Sequence, residues 1–223
     1  MDKHTILVVD DHPLFRKGVV QLLQMEPTIE VIGEAGDKAA ALALARERDP
    51  DLILLDLNLK GENGIDILAA LKEEDPSYRV VMLTVSDAPD DLVAAIRAGA
   101  DGYLLKDMEP EDILARVRDA LTGKTVISEA LSARLAQALH TEASDARTAS
   151  TRSLAQLTER EQAVLRCLAA GMSNKLIARA LNISEGTVKV HVKHLLRKLE
   201  FRSRVEAAVW ATELGLKAVG RDP

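Results

Sequence analysis

Two hydrophobic rhythms alternate along the first half of the chain. Short, largely apolar runs recur at residues 6–9, 29–32, 52–55, 80–84 and 102–106, as expected of strands buried on both faces. Between them, residues 14–23, 39–48, 65–71, 91–98 and 112–121 carry apolar positions at helical spacing. In the first of these helices the spacing groups Leu14, Phe15, Gly18, Val19, Leu22 and Leu23, and Pro13 suits its first turn. Gly99 and Gly123 stop the fourth and fifth. Five βα units in about 122 residues predict an α/β fold: a doubly wound, flavodoxin-like parallel sheet of order 2-1-3-4-5.

The rhythm then changes. Residues 126–139 predict one more amphipathic helix, with Val126, Ile127, Leu131, Leu135 and Leu139 apolar. Residues 140–153, HTEASDARTASTRS, are small and polar and read as a tether. Beyond it every signal is helical. Thr158 and Glu161 form a capping-box pattern that opens a helix closed by Gly171, and residues 175–181 form a short helix. Asn182–Ile183–Ser184 is a turn, Ser184 caps a helix running through Leu199, and Ser203 with Glu206 repeats the capping pattern. Four short helices with a tight turn between the second and third predict a helix-turn-helix, its motif running from Asn174 to Lys193. The chain thus divides at 1–125, 126–153 and 154–218.

Composition narrows the possible functions. Aromatic residues are only 2%, so aliphatic packing fills the cores and base-stacking platforms are not expected. The single cysteine, Cys167, lies between Leu165 and Leu168 as a small core residue and forms no internal disulfide, which suits a reducing compartment. With no signal-peptide pattern and no run long enough to span a bilayer, a soluble cytoplasmic protein without membrane contact is expected. Charge is divided unevenly. Residues 1–150 hold 16 Lys/Arg against 28 Asp/Glu, a balance of −12, whereas residues 151–223 hold 13 against 7, a balance of +6. Only the C-terminal part has the charge of a nucleic-acid partner.

The chemistry gathers at strand exits. Asp10 and Asp11 end one predicted strand and Asp56 its neighbour at the switch point; Thr84 and Lys106 end two more. Singly, these would be solvated loop acids and ordinary strand ends. Together, each pair of carboxylates near 4 Å costs about 4 kcal/mol at a surface-type dielectric, which a divalent cation relieves. Oxygen-only ligands that leave room for water and phosphate favour Mg²⁺ over zinc. Lys106 and the Thr84 hydroxyl can hold the oxygens of a phosphoryl group moving to the Asp56 carboxylate.

The DDH stretch, LLDLN, LTVSDA and GADGYLLKD resemble the receiver domain of two-component response regulators over about residues 4–123. The resemblance implies that Asp56 is the phosphoacceptor and that Mg²⁺ is held by Asp10, Asp11, Asp56 and the Asn58 main-chain carbonyl. It also implies Thr84 and Tyr103 as switch residues, Lys106 as the phosphate contact, and a sensor histidine kinase as donor. Asn58 and Ser86 match positions that tune dephosphorylation. Lys60 and Asp107 depart from the prolines many receivers carry, and Asp107 puts the family's cis peptide in doubt. Phosphohydrolases that form an aspartyl-phosphate are the rival class. They need a second aspartate two positions beyond the nucleophile, and Asn58, which cannot shuttle a proton, stands there. The pattern therefore argues for a regulator, not an enzyme.

In the basic part, Val188, Val192, Leu195 and Leu199 share one helical stripe, leaving Lys189, Val190, Lys193 and Arg197 elsewhere on the helix. Lysines reach guanine edges or phosphates and valine meets a thymine methyl, so these four and Thr187 are the candidate DNA contacts. His191 and His194, without acidic or Cys partners at ligand spacing, read as phosphate contacts or packing. The string LTERE…VLRCLAAGMSNKLIARALNISEGTVKVHVKHLLRKL…SRVEAAVW resembles the LuxR-type helix-turn-helix over about residues 154–211. Together with GADGYLLKDMEPEDI it is similar to the nitrate/nitrite response-regulator group. One recognition helix in so small a module covers few base pairs, so double-stranded DNA bound as a dimer on paired half-sites is expected, with RNA polymerase as a further partner. An acidic receiver is expected to shield the basic module. Phosphorylation adds about −1.5 to −2 charges and would tighten a purely electrostatic clamp, so release is expected from rearrangement around Thr84 and Tyr103. The alternative is a phosphorylation-independent DNA binder with the receiver as a docking platform.

Overall fold

Strand and helix alternate through the N-terminal domain of the computed structural model, which describes residues 3–124, 126–127 and 153–216. In chain order the elements are β1 (His4–Val9), α1 (Pro13–Gln24), β2 (Ile29–Ala35), α2 (Lys38–Arg48) and β3 (Leu52–Leu55). A two-residue hairpin follows, β4 (Asn58–Leu59) and β5 (Glu62–Asn63), then α3 (Gly64–Glu74), β6 (Val80–Thr84), α4 (Pro89–Arg97), β7 (Gly102–Leu105), α5 (Pro110–Thr122) and β8 (Val126–Ile127). The main sheet has the order β2-β1-β3-β6-β7-β8, with every pairing parallel. Its first five strands are those expected from the sequence.

Residue alternation on the strands divides the core. Leu7, Val9, Ile53, Leu55, Val80, Met82 and Tyr103 face α2, α3 and α4. Ile6, Val8, Leu52, Leu54, Val81, Leu83 and Leu104 face α1 and α5. Burial on both faces is why the runs are continuously apolar. Proline opens α1, α4 and α5, where a missing N–H costs nothing.

Two expectations fail here. Leu14 is 89% exposed, off the stripe that buries Val19, Val20 and Leu23. Val126 and Ile127 form a sixth strand instead of opening a helix. Val126 packs directly over Gly102, where a Cβ would lie 2.4 Å from its Cγ2, so a missing side chain on β7 admits the extra strand. The rest of the expected helix and most of the tether, at 128–152, lie outside the described residues.

After a 3₁₀ turn at Leu154–Gln156, the C-terminal module comprises α6 (Glu159–Ala169), α7 (Asn174–Leu181), α8 (Glu185–Lys198) and α9 (Arg204–Glu213). Asn182 takes the left-handed conformation in the α7–α8 turn, and Ser184 caps α8 by accepting from Thr187 N. Val188, Val192, Leu195 and Leu199 are buried with Val164, Leu165, Leu168 and Ile177. Cys167 joins this core and burial pushes its thiol up, away from nucleophilic use.

Candidate functional site: an acidic pocket and a basic helix

The last rungs of the parallel ladders fix the backbone of the acidic residues. Asp10 N donates to Ala35 O, Asp56 N to Val9 O and Lys106 N to Thr84 O, at 3.0, 2.9 and 2.8 Å. The side chains therefore leave the sheet together at the C-terminal ends of β1, β3, β6 and β7. Gly64 closes the loop beyond Asp56, its N–H reaching Leu57 O at 2.6 Å. A Cβ at Gly64 would stand 2.1 Å from Asp56 O, so only glycine lets α3 start there.

Lys106 Nζ sits 2.7 Å from both Asp10 Oδ2 and Asp56 Oδ2, with the Phe15 ring centroid at 4.5 Å. Asp11 Oδ2 accepts from Lys60 N at 3.1 Å. All three carboxylates are at least nine-tenths buried. Burial pushes the Asp56 carboxyl up, and the nearby Asp10 charge adds to this; hydrogen bonding and attraction from Lys106 only partly oppose them. Asp56 Oδ1 and Asp11 Oδ1 accept no hydrogen bond. One lysine against three acids leaves negative charge and free lone pairs, and a hard divalent cation with oxygen ligands fits that deficit.

Thr84 is fully buried, its Oγ1 accepting from Ser86 N at 3.1 Å. Tyr103 lies wholly inside, its hydroxyl donating to Ser86 O at 3.0 Å and pushed up to about 12, mainly by burial. Ser86 Oγ in turn donates to Asp91 Oδ2 at 2.5 Å. Thr84, Tyr103 and the start of α4 are thus joined through one serine. Asn58 is exposed on β4, paired with Asn63. No cis peptide occurs among the described residues.

A receiver-domain model, the response regulator receiver domain, matches residues 6–118, and the luxR family of bacterial regulatory proteins matches residues 155–211. The nitrate/nitrite response regulator protein NarL of Escherichia coli K12 is 52% identical over 206 residues, covering 92% of this chain and 94% of that one. NarP of the same strain is 50% identical, covering 92% of each. A crystal structure of a LuxR-family two-component response regulator from Aurantimonas sp. covers 61% of this chain and 98% of that one, at 30% identity and a TM-score of 0.58. The chain belongs to the LuxR-type response regulators.

In this response regulator the face of α8 that the sequence leaves free is turned onto the receiver. Lys189 Nζ donates to Asp49 O at 3.0 Å and Asp49 Oδ2 at 2.9 Å, with Asp51 Oδ1 at 3.6 Å. Lys193 Nζ donates to Asp75 Oδ2 at 2.6 Å, and Arg197 to Glu74 O at 3.1 Å. Beyond α8, Arg202 donates to Arg97 O at 3.0 Å. Val190 and Thr187 stay exposed, the threonine hydroxyl 2.8 Å from the capping Ser184 hydroxyl. The carbonyls of Asp49, Glu74 and Arg97 belong to the C-terminal ends of α2, α3 and α4, where unpaired carbonyls and the helix dipole concentrate partial negative charge.

A buried charge group lies behind this interface. Lys72 donates to Asp101 Oδ2 at 2.8 Å and Tyr78 O at 2.5 Å, while Arg79 donates to Ala120 O. Arg204 of α9, also buried, donates to Met172 O at 2.6 Å and Asn174 Oδ1 at 3.2 Å. Burial and the Arg79 charge push Arg204 well down, and Asp101 only partly offsets this. Sequence reasoning missed the receiver acids of this contact, the buried charges, and Phe15 and His12 beside the pocket. Asp49-Pro50-Asp51, an acid pair bracketing a helix stop, was the one local hint.

Proposed function

We propose that this response regulator accepts a phosphoryl group on Asp56 and thereby controls the access of DNA to α8. The observation that carries the reading is that Lys189, Lys193 and Arg197 already hold receiver oxygens, so the closed molecule cannot offer the same groups to DNA. Asp10, Asp11, Asp56 and the Asn58 carbonyl would hold Mg²⁺, which when bound neutralises charge on the incoming phosphoryl oxygens. An Asp56 carboxylate oxygen attacks phosphorus, the P–N bond of a kinase phosphohistidine breaks, and the departing imidazole takes up a proton. Lys106 then contacts a phosphoryl oxygen, and Thr84 donates its hydroxyl to another. Turning Thr84 toward phosphate frees the Ser86 link to Tyr103 and α4, which is the route by which rearrangement leaves the pocket.

A sensor histidine kinase is the donor, and the protein works in the cytoplasm as a regulator, with no substrate turnover of its own. Among the described residues no helix is long and apolar enough to cross a membrane. The names of NarL and NarP support nitrate/nitrite-responsive gene control. On DNA, Thr187, Lys189, Val190 and Lys193 meet the major groove, within a helix-turn-helix from Asn174 to Lys193, and Arg197, a turn further on, meets a phosphate. One short recognition helix reads few base pairs, so two copies engage paired half-sites and present a surface to RNA polymerase. The working units are a receiver at 1–125, a connector at 126–153 and a DNA-binding domain at 154–218.

Phosphotransfer from a small acyl phosphate with Mg²⁺, followed by DNA-binding isotherms, tests this. Wild-type protein should take up label and bind DNA at least several-fold more tightly afterwards, while Asp56→Asn should do neither. Equal label uptake by Asp56→Asn would refute the acceptor assignment, and phosphorylation without any gain in DNA affinity would favour the docking-platform alternative.

A further inference from the structure

Where the DNA-binding domain closes on the receiver, the two enclose a cavity of about 20 Å³, room for a single water-sized species. Arg79 of the receiver and Arg204 of α9 both line it, and both are more than nine-tenths buried. Among the described residues neither forms an ion pair: Arg79 donates to Ala120 O, and Arg204 to Met172 O and Asn174 Oδ1. Asp101 is the carboxylate whose charge both arginines feel. Its Oδ2, however, is taken by Lys72 Nζ and Val80 N, at 2.8 and 3.0 Å, and its Oδ1 accepts no hydrogen bond. The other charges of the wall are answered more fully. Lys189 faces Asp49 and Asp51, and Glu185 shares the lining with Lys175. With His4 neutral and Lys72 offset by Asp101, the enclosed groups carry one positive charge in excess. The first turn of α7, beginning at Asn174, also opens on the cavity and adds the positive pole of its helix.

We propose that this interdomain cavity binds a single small monovalent anion, chloride, and that the bound ion holds the DNA-binding domain against the receiver. One such ion restores neutrality to the enclosed groups, and chloride is little larger than the water-sized space. A bulky organic anion does not fit it. The downward push on Arg204, from burial and then from the Arg79 charge, is the cost that an ion of opposite charge relieves. The two guanidinium groups come from different domains, so the site exists only while the domains are together. In the open molecule each arginine is hydrated separately. An ion that binds the closed form and not the open one shifts the equilibrium toward closure by mass action. The inference rests on the closed contact used in the proposed function, and adds to it an ion that tunes access to α8.

Titrating the full-length protein with sodium chloride tests it, with sodium gluconate keeping the ionic strength constant. Chloride NMR line width reads binding, and small-angle X-ray scattering reads domain separation. Arg79→Met removes one wall of the site. Asn174→Asp is isosteric, keeps the oxygen that accepts from Arg204, and supplies the missing negative charge from the chain itself. Wild-type protein should show saturable broadening, with chloride affinity about tenfold or more weaker in either variant. Wild type should expand as gluconate replaces chloride, whereas Asn174→Asp should stay compact in both salts, a result that decides the matter even where Arg79→Met fails to fold. Broadening that is the same in Asn174→Asp as in wild type, or that persists when Asp49→Asn and Asp75→Asn separate the domains, would mean an adventitious ion only and overturn the site. A wild type as expanded in chloride as that double variant would instead overturn the closed contact itself, and the cavity with it.

Discussion

Lys189 and Lys193 illustrate how one side chain serves two surfaces. In the closed molecule each ammonium faces a receiver carboxylate; on DNA the same group would face a base edge or a phosphate. Alanine at either position should therefore act in opposite directions, loosening the closed state and weakening the DNA complex. Measured on phosphorylated protein, where only the second effect remains, each loss should be about 1–3 kcal/mol and confined to one base position if the lysine reads a base. Arg197, a turn further on, should weaken all sequences alike and flatten the salt slope by about one unit. Binding isotherms on randomised half-sites at several salt concentrations would check both, and uniform losses for the lysines would reassign them to phosphate. Asp10, Asp11, Asp56, Thr84 and Lys106 were legible because each ends a strand and parallel topology sends those ends to one place. His12 and Phe15 were not, because helix spacing says nothing about which way a residue at or just before the helix start leans.

Among the elements, α6 shows most clearly what local sequence can encode. Thr158 and Glu161 make both bonds of a capping box, and the Glu161 carboxylate also holds Lys198 of α8 at 2.7 Å. Burial pushes that carboxyl up, but the hydrogen bonds from Lys198 and Thr158 outweigh it, so it sits below the usual carboxylate range. A folded-state value below the unfolded one contributes stability above the ordinary carboxylate range that is lost as pH falls through the lowered value. Glu161→Gln should thus cost about 1 kcal/mol at neutral pH, with the gap to wild type closing in acid. Denaturant melts of the DNA-binding domain across pH 3 to 7, the assay range, would follow it. A gap that persists below that lowered value would mean packing, not charge, sets the cost. The capping box could be read from four residues. β8 could not, because its partner Gly102 lies in another element and periodicity alone does not separate a short apolar strand from the start of a helix.

For the whole molecule, the division into acidic and basic parts was visible in the charge count, but the contact between them joins residues more than a hundred positions apart. No local pattern encodes that. The interface is held by partly exposed ion pairs, each contributing at most about 1 kcal/mol, and it covers Arg204 near Arg79 with Asp101 as a nearby carboxylate. Such a contact is poised to open. Replacing Asp49 and Asp75 together by asparagine should raise DNA affinity of the unphosphorylated protein several-fold to about tenfold, with little change after phosphorylation. Isotherms on both forms would show it, and a double variant that binds no better than wild type would remove these pairs from the clamp.

The acidic pocket and the clamp occupy opposite ends of the same parallel strands, Thr84 at one end of β6 and Val80 at the other, about 13 Å apart at the usual rise per residue. Two ligands that never meet are then tied to one opening equilibrium, and thermodynamic reciprocity governs both. By whatever factor the phosphoryl group multiplies operator affinity, an operator multiplies phosphoryl occupancy at equilibrium with the donor. The chromosome is in that sense an effector of the receiver. Promoters with many sites would favour the modified form, and a cell's supply of operators would help set what fraction of the protein carries it.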